Sequence, residues 1–266
     1  MAGAFEAIGQ RAEDILGEAG DAAIRAADEL PAFARLLRQE IRLRLALSDI
    51  TLSSEAKREL LSTLLASRVT PVTLEAVSVL TDYLLSPEEL ERATDDLAVR
   101  GMLAGAEASG ALEDVEDELF RFARIVDGNG ELFAALTTPA LPPEVRDGIV
   151  DDLLRDRARP ETLAMVRFAL ETRGQRHPGQ VLSELADLAA TRRGRVMVEA
   201  RTAVPIDVQR RARLTEALTR VVGRPVSLEV VVDPAVEGGV VARVGDEVID
   251  GSVRRKLERA LEELTG

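Results

Sequence analysis

The feature of this sequence that most constrains its fold is an internal repeat with a period of 89 residues. When the chain is shifted by that distance without gaps, Arg11–Val77 matches Arg100–Val166 at 22 of 67 positions, about three times the number that random pairing gives at this composition. The densest stretch sets ELPAFAR at Glu29–Arg35 over ELFRFAR at Glu118–Arg124. A unit of this length predicts a duplicated small domain and not a solenoid of short repeats.

Both copies of the repeat have helical spacing. In the second copy, apolar residues that recur with a period of 3.6 predict one helix face made of Leu119, Phe122, Ala123, Ile125 and Val126. Prolines at 142 and 143, and Ser53 in the first copy, are typical of helix starts. We therefore predict two all-α bundles, residues 1–97 and 98–178, joined through a polar linker at Thr172–Gly179 to a domain of residues 179–266.

The hydrophobic period changes near residue 195. Arg195–Arg201 alternates polar and apolar residues as a half-buried strand does, and Val226–Val232 predicts a second strand. Gly245-Asp246 separates two further apolar runs and suits a hairpin turn. The residues after 195 thus predict a small α/β domain, and the fold class is an all-α region followed by α/β.

Two helices are predicted between and after these strands. Asp207 can cap the first, and Gly223 ends it. Its predicted apolar face consists of Leu214, Ala217, Leu218 and Val221. Ser252 can cap a terminal helix that runs to about Leu264.

Charge and composition exclude several classes of function. The formal net charge of −13 lies entirely in residues 1–180, because residues 181–266 hold 14 basic and 14 acidic residues. Such an acidic region repels nucleic acid and anionic lipid, so neither is expected as its main partner. The absence of cysteine and the single histidine, His177, exclude disulfides, thiolate metal sites and any site that needs two imidazoles.

The N-terminal residues lack the pattern of a signal peptide. No apolar run approaches the roughly 18 residues of a spanning helix. We expect a cytoplasmic chain, with no direct membrane insertion, that reaches a membrane only through a partner.

A dense motif near the C-terminal end resembles a known family signature. Its residues are Asp233, Pro234, Gly238, Gly239, Gly245, Asp250, Gly251 and Ser252. In this order they resemble the C-terminal signature of the delta subunit of bacterial F-type ATP synthases, whose mitochondrial counterpart is the oligomycin-sensitivity-conferring protein. The resemblance covers about Val99–Gly266, and the additional N-terminal copy resembles the long delta chains of actinobacteria.

The resemblance implies a non-catalytic stator subunit at the top of a peripheral stalk. In this family, the stalk links the catalytic head to the membrane proton channel and resists rotor torque during proton-driven ATP synthesis. It implies that the helical region receives N-terminal helices of the alpha subunits, and that the C-terminal domain holds helices of the b-type stalk subunit. It further implies no cofactor and a place on the cytoplasmic face of the cell membrane, and it leaves open which helical copy binds alpha.

Other candidate sites each have a simpler interpretation. The acidic run Glu113–Glu118 could bind a cation, but acidic residues favour the first turn of a helix, and we interpret the run as solvated. We interpret His177 as a linker residue, and Gly238-Gly239 lacks the motif of a phosphate-binding loop. Turn, cap or solvated-surface roles are expected for the remaining candidates, Asp246, Glu247, Asp250, Ser252 and Arg254–Lys256.

We therefore predict no catalytic, metal-binding or cofactor-binding residue, since the signature residues build turns, strands and caps. Two other functions stay open. One is a free-standing adaptor or regulator with tandem helical bundles. The other, a small enzyme built on the C-terminal domain, would need an acid–base or metal cluster that the residue inventory disfavours.

Overall fold

The computed structural model describes residues 2–138, 141–172, 174–194, 196–223, 225–234, 236, 239–244 and 247–250. The chain divides into two compact units, Met1–Arg193 and Gly194–Gly266. The first unit is all-α and the second is α/β. This confirms the predicted fold class.

The described residues of the first unit form eleven α-helices, and a 3-10 turn at Val79–Asp82 follows the fifth. The helices are α1 (Ala2–Gly17), α2 (Ala22–Gln39), α3 (Ile41–Ser48), α4 (Ser54–Leu65), α5 (Pro71–Ser78), α6 (Pro87–Ala108), α7 (Leu112–Gly128), α8 (Gly130–Thr137), α9 (Pro143–Leu154), α10 (Pro160–Thr172) and α11 (Pro178–Arg193). None of the described helices combines the length and hydropathy that crossing a bilayer requires.

The helical unit repeats with the 89-residue shift found in the sequence. Shifting α3 and α4 by 89 gives residues 130–137 and 143–154, the bounds of α8 and α9. The long helix α6 has two roles, because it corresponds both to α11 as the last helix of the first half and to α1 as the first helix of the second half. The predicted boundary after residue 97 therefore falls inside α6, and the buried apolar residues of both halves form one core cluster.

One hydrogen-bonded contact recurs at both repeat positions. The Glu29 carboxylate accepts the backbone N–H of Thr70, just before α5, at 2.8 Å. The Glu118 carboxylate accepts the backbone N–H of Arg159, just before α10, also at 2.8 Å, and it accepts the hydroxyl of Thr162 as well. Position 29 shifts to 118 and position 70 shifts to 159, so an identical Glu on the second helix accepts the backbone N–H just before the fifth helix in both halves.

The predicted face of α7 is confirmed at four of its five positions. Leu119, Phe122, Ala123 and Val126 are at most 2 % exposed. Ile125 is 52 % exposed, so its placement in the core was wrong. At 100° per residue, Ile125 lies about 110° around the helix from the centre of the buried face.

Helix α11 belongs to the helical unit. Its main neighbour is α7, and Leu182, Leu185 and Ala189 are buried in the helical core. The second unit therefore begins at Gly194, later than the predicted boundary after residue 178. The polar stretch Thr172–Gly179 connects two helices of one unit, so its interpretation as an interdomain linker was wrong.

The second unit is a four-stranded sheet with one described helix. The strands are β1 (Val196–Thr202), β2 (Val226–Val232), β3 (Val240–Val244) and β4 (Glu247–Asp250), in the order β2-β1-β3-β4. β1 is parallel to β2, and β3 is antiparallel to both β1 and β4. The pairing of Val244 with Glu247 agrees with the predicted hairpin, whose turn residues lie outside the described residues.

The helix α12 (Val208–Val222) begins and ends as predicted. The Asp207 carboxylate accepts the backbone N–H of Arg210 at 2.8 Å, and Gly223 ends the helix at φ +72°, a conformation that favours glycine. On its apolar face, however, Val221 is exposed and Val222 packs on the sheet core. Leu214, Leu218 and Val222 follow one another at a spacing of four on the side that packs on the sheet. Val221 lies about 100° around the helix from Val222. The predicted terminal helix lies outside the described residues.

Candidate docking surfaces

The signature residues that the structure describes lie around the connection from β2 to β3. Asp233 follows β2, and its backbone N–H donates to the carbonyl of Thr202 at 2.8 Å. The carbonyl of Asp233 accepts the N–H of Val236 at 3.0 Å, which closes a turn that contains Pro234. Asp250 is the last residue of β4 and pairs in register with Val241. These residues lie at the ends of strands.

Gly239 shows why glycine occurs in the signature. Its φ is +79°, in the region that residues with a Cβ rarely adopt. The next residue, Val240, begins β3. Gly238, Gly245, Gly251 and Ser252 lie outside the described residues, as do Asp246 and Arg254–Lys256, so their roles stay predictions.

In the helical unit, a groove of about 460 Å³ opens between α6, α10 and α11. We call it the α6 groove. Apolar side chains of all three helices line it together with charged ones, and Leu188 on α11 is 36 % exposed there. The full lining is Arg92, Asp95, Asp96, Val99, Ala169, Thr172, Arg176, Val181, Glu184, Leu185 and Leu188. A mixed apolar and charged groove between helices is suited to receiving an amphipathic helix.

Asp95 lies in this groove where α6 meets α2 and α10. One of its carboxylate oxygens is 3.3 Å from the guanidinium of Arg38 on α2. Burial raises the pKa of Asp95 to about 6, against the attraction of Arg38, and the nearby Glu171 carboxylate raises the pKa further. The Arg38 guanidinium also lies over the ring of Phe168 on α10, at 5.6 Å from its centroid. The rim of the α6 groove therefore depends on α2, which belongs to the first half of the repeat.

A buried ionic network connects the first and last helices of the unit. Arg192 on α11 is 4 % exposed and binds both Glu13 on α1 and Glu107 on α6, the latter at 2.7 Å. Glu13, 7 % exposed, also accepts from Arg100 on α6 at 2.9 Å. The two halves of the repeat are thus joined by charges withdrawn from water, and such charges are costly to leave unpaired.

The acidic run Glu113–Glu118 occupies the first two turns of α7, and several of its carboxylates have partners. Arg193 contacts Glu113 at 3.0 Å and Glu116 at 2.9 Å, and Arg159 contacts Asp114 at 2.6 Å. Among the described residues, no group of three or more potential ligands has the geometry to hold a metal ion. The run forms one wall of a second groove, between α7 and α11.

His177 is not surrounded by catalytic partners among the described residues. Its ring stacks on that of Phe133 with centroids 4.7 Å apart, and its Nδ1 is 3.6 Å from an Asp127 oxygen. Both contacts lie at the start of α11 and hold this helix against α7 and α8. A positioning role in the helical unit therefore accounts for the residue.

The sequence analysis missed the double role of α6 and the network around Arg192. The double role of α6 could have been predicted, because the 89-residue shift that places Arg11 over Arg100 also places α1 over α6. The network around Arg192 could not have been predicted, since Glu13 and Arg192 are 179 residues apart and no sequence pattern links them.

Comparison with known proteins agrees with this architecture. The family model for the ATP synthase delta (OSCP) subunit matches residues 101–264, which is more than half of the chain. The match begins inside α6 and ends at residue 264, so it includes most of the second half of the repeat and nearly all of the α/β unit.

Relatives match over nearly the full length, including the first half of the repeat. ATP synthase subunit delta of Frankia alni is 45 % identical over 90 % of this chain and 86 % of its own length. The Salinispora arenicola protein of the same name is 38 % identical over 95 % of this chain and 93 % of its own. That of Streptomyces griseus is 37 % identical over 99 % of this chain and 97 % of its own. The chain therefore belongs to the ATP synthase delta (OSCP) subunit family, in its long actinobacterial form.

Proposed function

We propose that this chain is a non-catalytic part of the peripheral stalk of an F-type ATP synthase, on the cytoplasmic face of the cell membrane. It would link the catalytic head to the stalk and resist the torque of the rotor. Family membership supports the assignment to the complex. The observation that best supports a mechanical role is the buried network that makes both halves of the helical repeat one body.

Resistance to torque requires an element that does not yield between its two attachment points. Two bundles on a flexible linker would rotate against each other, but here α6 is a member of both halves. The Glu13–Arg192 pair adds a contact between the outermost helices, α1 and α11. A shared helix and a shared core make relative motion of the halves costly, because such motion would open close-packed apolar surface.

We propose that the partner of the helical unit is the N-terminal helix of an alpha subunit of the head, and that the α6 groove receives it. The apolar residues of the groove would bury one face of that helix, and the charged residues at its rim would set its orientation. Leu188 is the exposed apolar residue best placed to contribute, since it lies on the groove and is not yet packed.

A peptide titration tests this assignment. A fluorescent peptide of the alpha N-terminal helix from the same organism is titrated with the full chain, with Leu188→Glu, and with Ile50→Glu as the matched control. Ile50 is also an exposed apolar residue, but it lies outside the groove. We expect micromolar or tighter binding that Leu188→Glu weakens by about tenfold or more, because a buried Leu contributes about 1.5–3 kcal/mol.

The Ile50→Glu variant should bind as the wild type does. An absence of binding at micromolar peptide would contradict the alpha assignment. Equal weakening by both substitutions would place the peptide elsewhere on the acidic surface.

We propose that the C-terminal α/β unit holds the helices of the b-type stalk subunit. The support is its similarity to the family, together with a sheet whose strand ends are fixed by Asp233 and Gly239. A free-standing adaptor is not favoured, because relatives that match nearly the whole chain are named as synthase subunits.

A further inference from the structure

The second groove of the helical unit has an equivalent in the first half of the repeat. It lies between α7 and α11, and its α7 wall is formed by Glu113, Glu116 and Asp117. Shifted back by 89 residues, these positions are Ile24, Ala27 and Asp28 on α2. We call the α7–α11 surface the end face and the α2–α6 surface the covered face.

The covered face carries a helix of the same chain. Pro160, Glu161 and Ala164 of α10 line one cleft of about 210 Å³ together with Ile24, Ala27, Met102 and Gly105, and Ile24 remains 44 % exposed there. The Ser109 hydroxyl donates to the Glu161 carboxylate at 3.1 Å. Arg35 contacts Glu171, at the other end of α10, at 2.8 Å. The protein therefore shows what binds this surface in one of its two copies, namely a helix that crosses the seam between two helices.

Among the described residues of the helical unit, only those of α7 and α11 line the end face. Its groove of about 440 Å³ is open along α7 and α11. Phe120 lies in this groove and is 54 % exposed. At the equivalent position of the covered face, Pro31 is buried. An exposed aromatic ring beside an open groove can act as the anchor of a docked helix, because its apolar area is still available for burial.

Charge specifies the chemistry of the partner. Five carboxylates line the end face, and Arg193 is the one basic residue among its lining side chains. The carboxylates are those of Glu113, Asp114, Glu116, Asp117 and Asp187. Arg193 contacts Glu113 and Glu116, and arginines outside the lining pair with two more carboxylates, Arg159 with Asp114 and Arg121 with Asp117. Five carboxylates against three arginines leave the groove with a net negative charge. The covered face, in contrast, presents Asp28 beside Ile24 and Ala27.

From these observations we infer that the end face docks a basic helix of another synthase subunit. This helix lies across α7 and α11 as α10 lies across α2 and α6. Its contacting side carries Arg or Lys residues for the carboxylates, with a small or aliphatic residue over Phe120. The inference rests on the proposed assembly into the synthase. A second copy of this chain is a poor occupant, since its net charge is −13 and like charges repel.

Site-directed photo-crosslinking in the assembled complex tests the proposal. The full chain carries p-benzoylphenylalanine in place of Phe120, and the control carries it in place of Ile125, which has nearly the same exposure and lies elsewhere on α7. After irradiation of membranes and purification of the synthase, we expect a Phe120 adduct at least fivefold above the Ile125 control. The adduct should map to a helical segment of another subunit with an excess of Arg and Lys.

Removal of charge gives a second readout on the same adduct. Glu113→Gln with Asp187→Asn should lower the adduct yield by threefold or more, and added salt should do the same, because the attraction is electrostatic. The matched control is Glu59→Gln with Glu75→Gln, two exposed carboxylates outside the end face. This control should leave the yield unchanged.

The outcomes are distinct. If the chain copurifies with the synthase, each of three results would overturn the proposal. They are equal adduct yields at positions 120 and 125, an adduct on an acidic or neutral segment, and an adduct between two copies of this chain. A chain that does not copurify with the synthase at all would instead refute the proposed function.

Discussion

Asp95 is the residue at which folding most clearly alters a charge. Its carboxylate is partly buried between α2, α6 and α10, and its pKa is raised to about 6 although Arg38 is 3.3 Å away. Desolvation therefore outweighs the attraction of the ion pair. Because the unfolded carboxyl titrates near 3.8, the folded state holds the proton more tightly between pH 4 and 6.

This raised pKa predicts a specific pH dependence of stability. The contribution of Asp95 to the free energy of unfolding is most favourable below pH 4. As the pH rises from about 4 to 6, up to about 3 kcal/mol of this contribution is lost. The Asp95→Asn variant cannot lose a proton. Its free energy of unfolding relative to wild type should therefore rise between pH 4 and pH 7, as measured by urea denaturation followed by far-UV circular dichroism. A difference that stays constant over this range would contradict the assignment.

Individual residues were predictable from sequence where the contact is local. Asp207 and Ser53 cap their helices as predicted, because a cap involves positions three residues apart. The role of Arg192 was not predictable, since its partner Glu13 lies on a helix brought close only by the complete fold. Of the end face, the sequence indicated only the acidic run at the start of α7. Its groove was not predictable, because the second wall is formed by α11.

At the scale of helices, α2 and α6 approach each other closely at Gly105. A Cβ built on Gly105 would lie 2.5 Å from the Cβ of Ala27 and 3.1 Å from the carbonyl oxygen of Ala23. Neither atom can move by rotation of a side chain. Glycine at this position therefore allows α2 and α6 to pack as closely as they do.

This contact predicts opposite effects for two Gly→Ala substitutions in helices. Gly105→Ala should destabilise the helical unit by about 1–3 kcal/mol, because overpacking outweighs the gain in helix propensity. Gly148→Ala in α9 is the matched control, since a Cβ there meets no atom within 4 Å, and it should stabilise by up to about 1 kcal/mol. Urea unfolding midpoints measure both effects. A neutral or stabilising Gly105→Ala would show that α2 and α6 can separate freely.

Most helices and strands were predictable because apolar periodicity and terminal residues are properties of short segments. The bounds of β2 agree with the prediction, and α9 begins at Pro143 as expected. The limits of the bundles were not predictable from these signals. Helix α6 carries apolar residues for both halves, and α11 follows a polar stretch that has the composition of a linker.

For the whole molecule, the ionic network predicts that the two halves of the repeat stabilise each other. Arg192→Leu removes a guanidinium from the buried Glu13, which keeps its pair with Arg100, and should cost about 3 kcal/mol of unfolding free energy. The double variant Glu13→Leu with Arg192→Leu removes the buried charges together and should recover at least half of this loss. The double-mutant cycle is measured by urea denaturation. A loss below about 1 kcal/mol for Arg192→Leu would mean that the halves are not coupled through this contact.

The same architecture determines how the first half can be removed. A truncation after residue 97 would cut α6 and take from the second half its first helix. Any deletion that tests the first half must therefore keep Pro87–Ala108, and it still removes Glu13. The family was predictable from the C-terminal signature and the fold class from the repeat and the apolar periods, whereas this interdependence follows only from the arrangement of the helices.

The most direct test of the account is the attachment of the catalytic head in cells depleted of this chain. We predict that the head is then released into the soluble fraction, that ATP synthesis driven by a proton gradient falls to background, and that the full chain restores both. Retention of the head on the membrane with undiminished proton-driven synthesis would contradict the account.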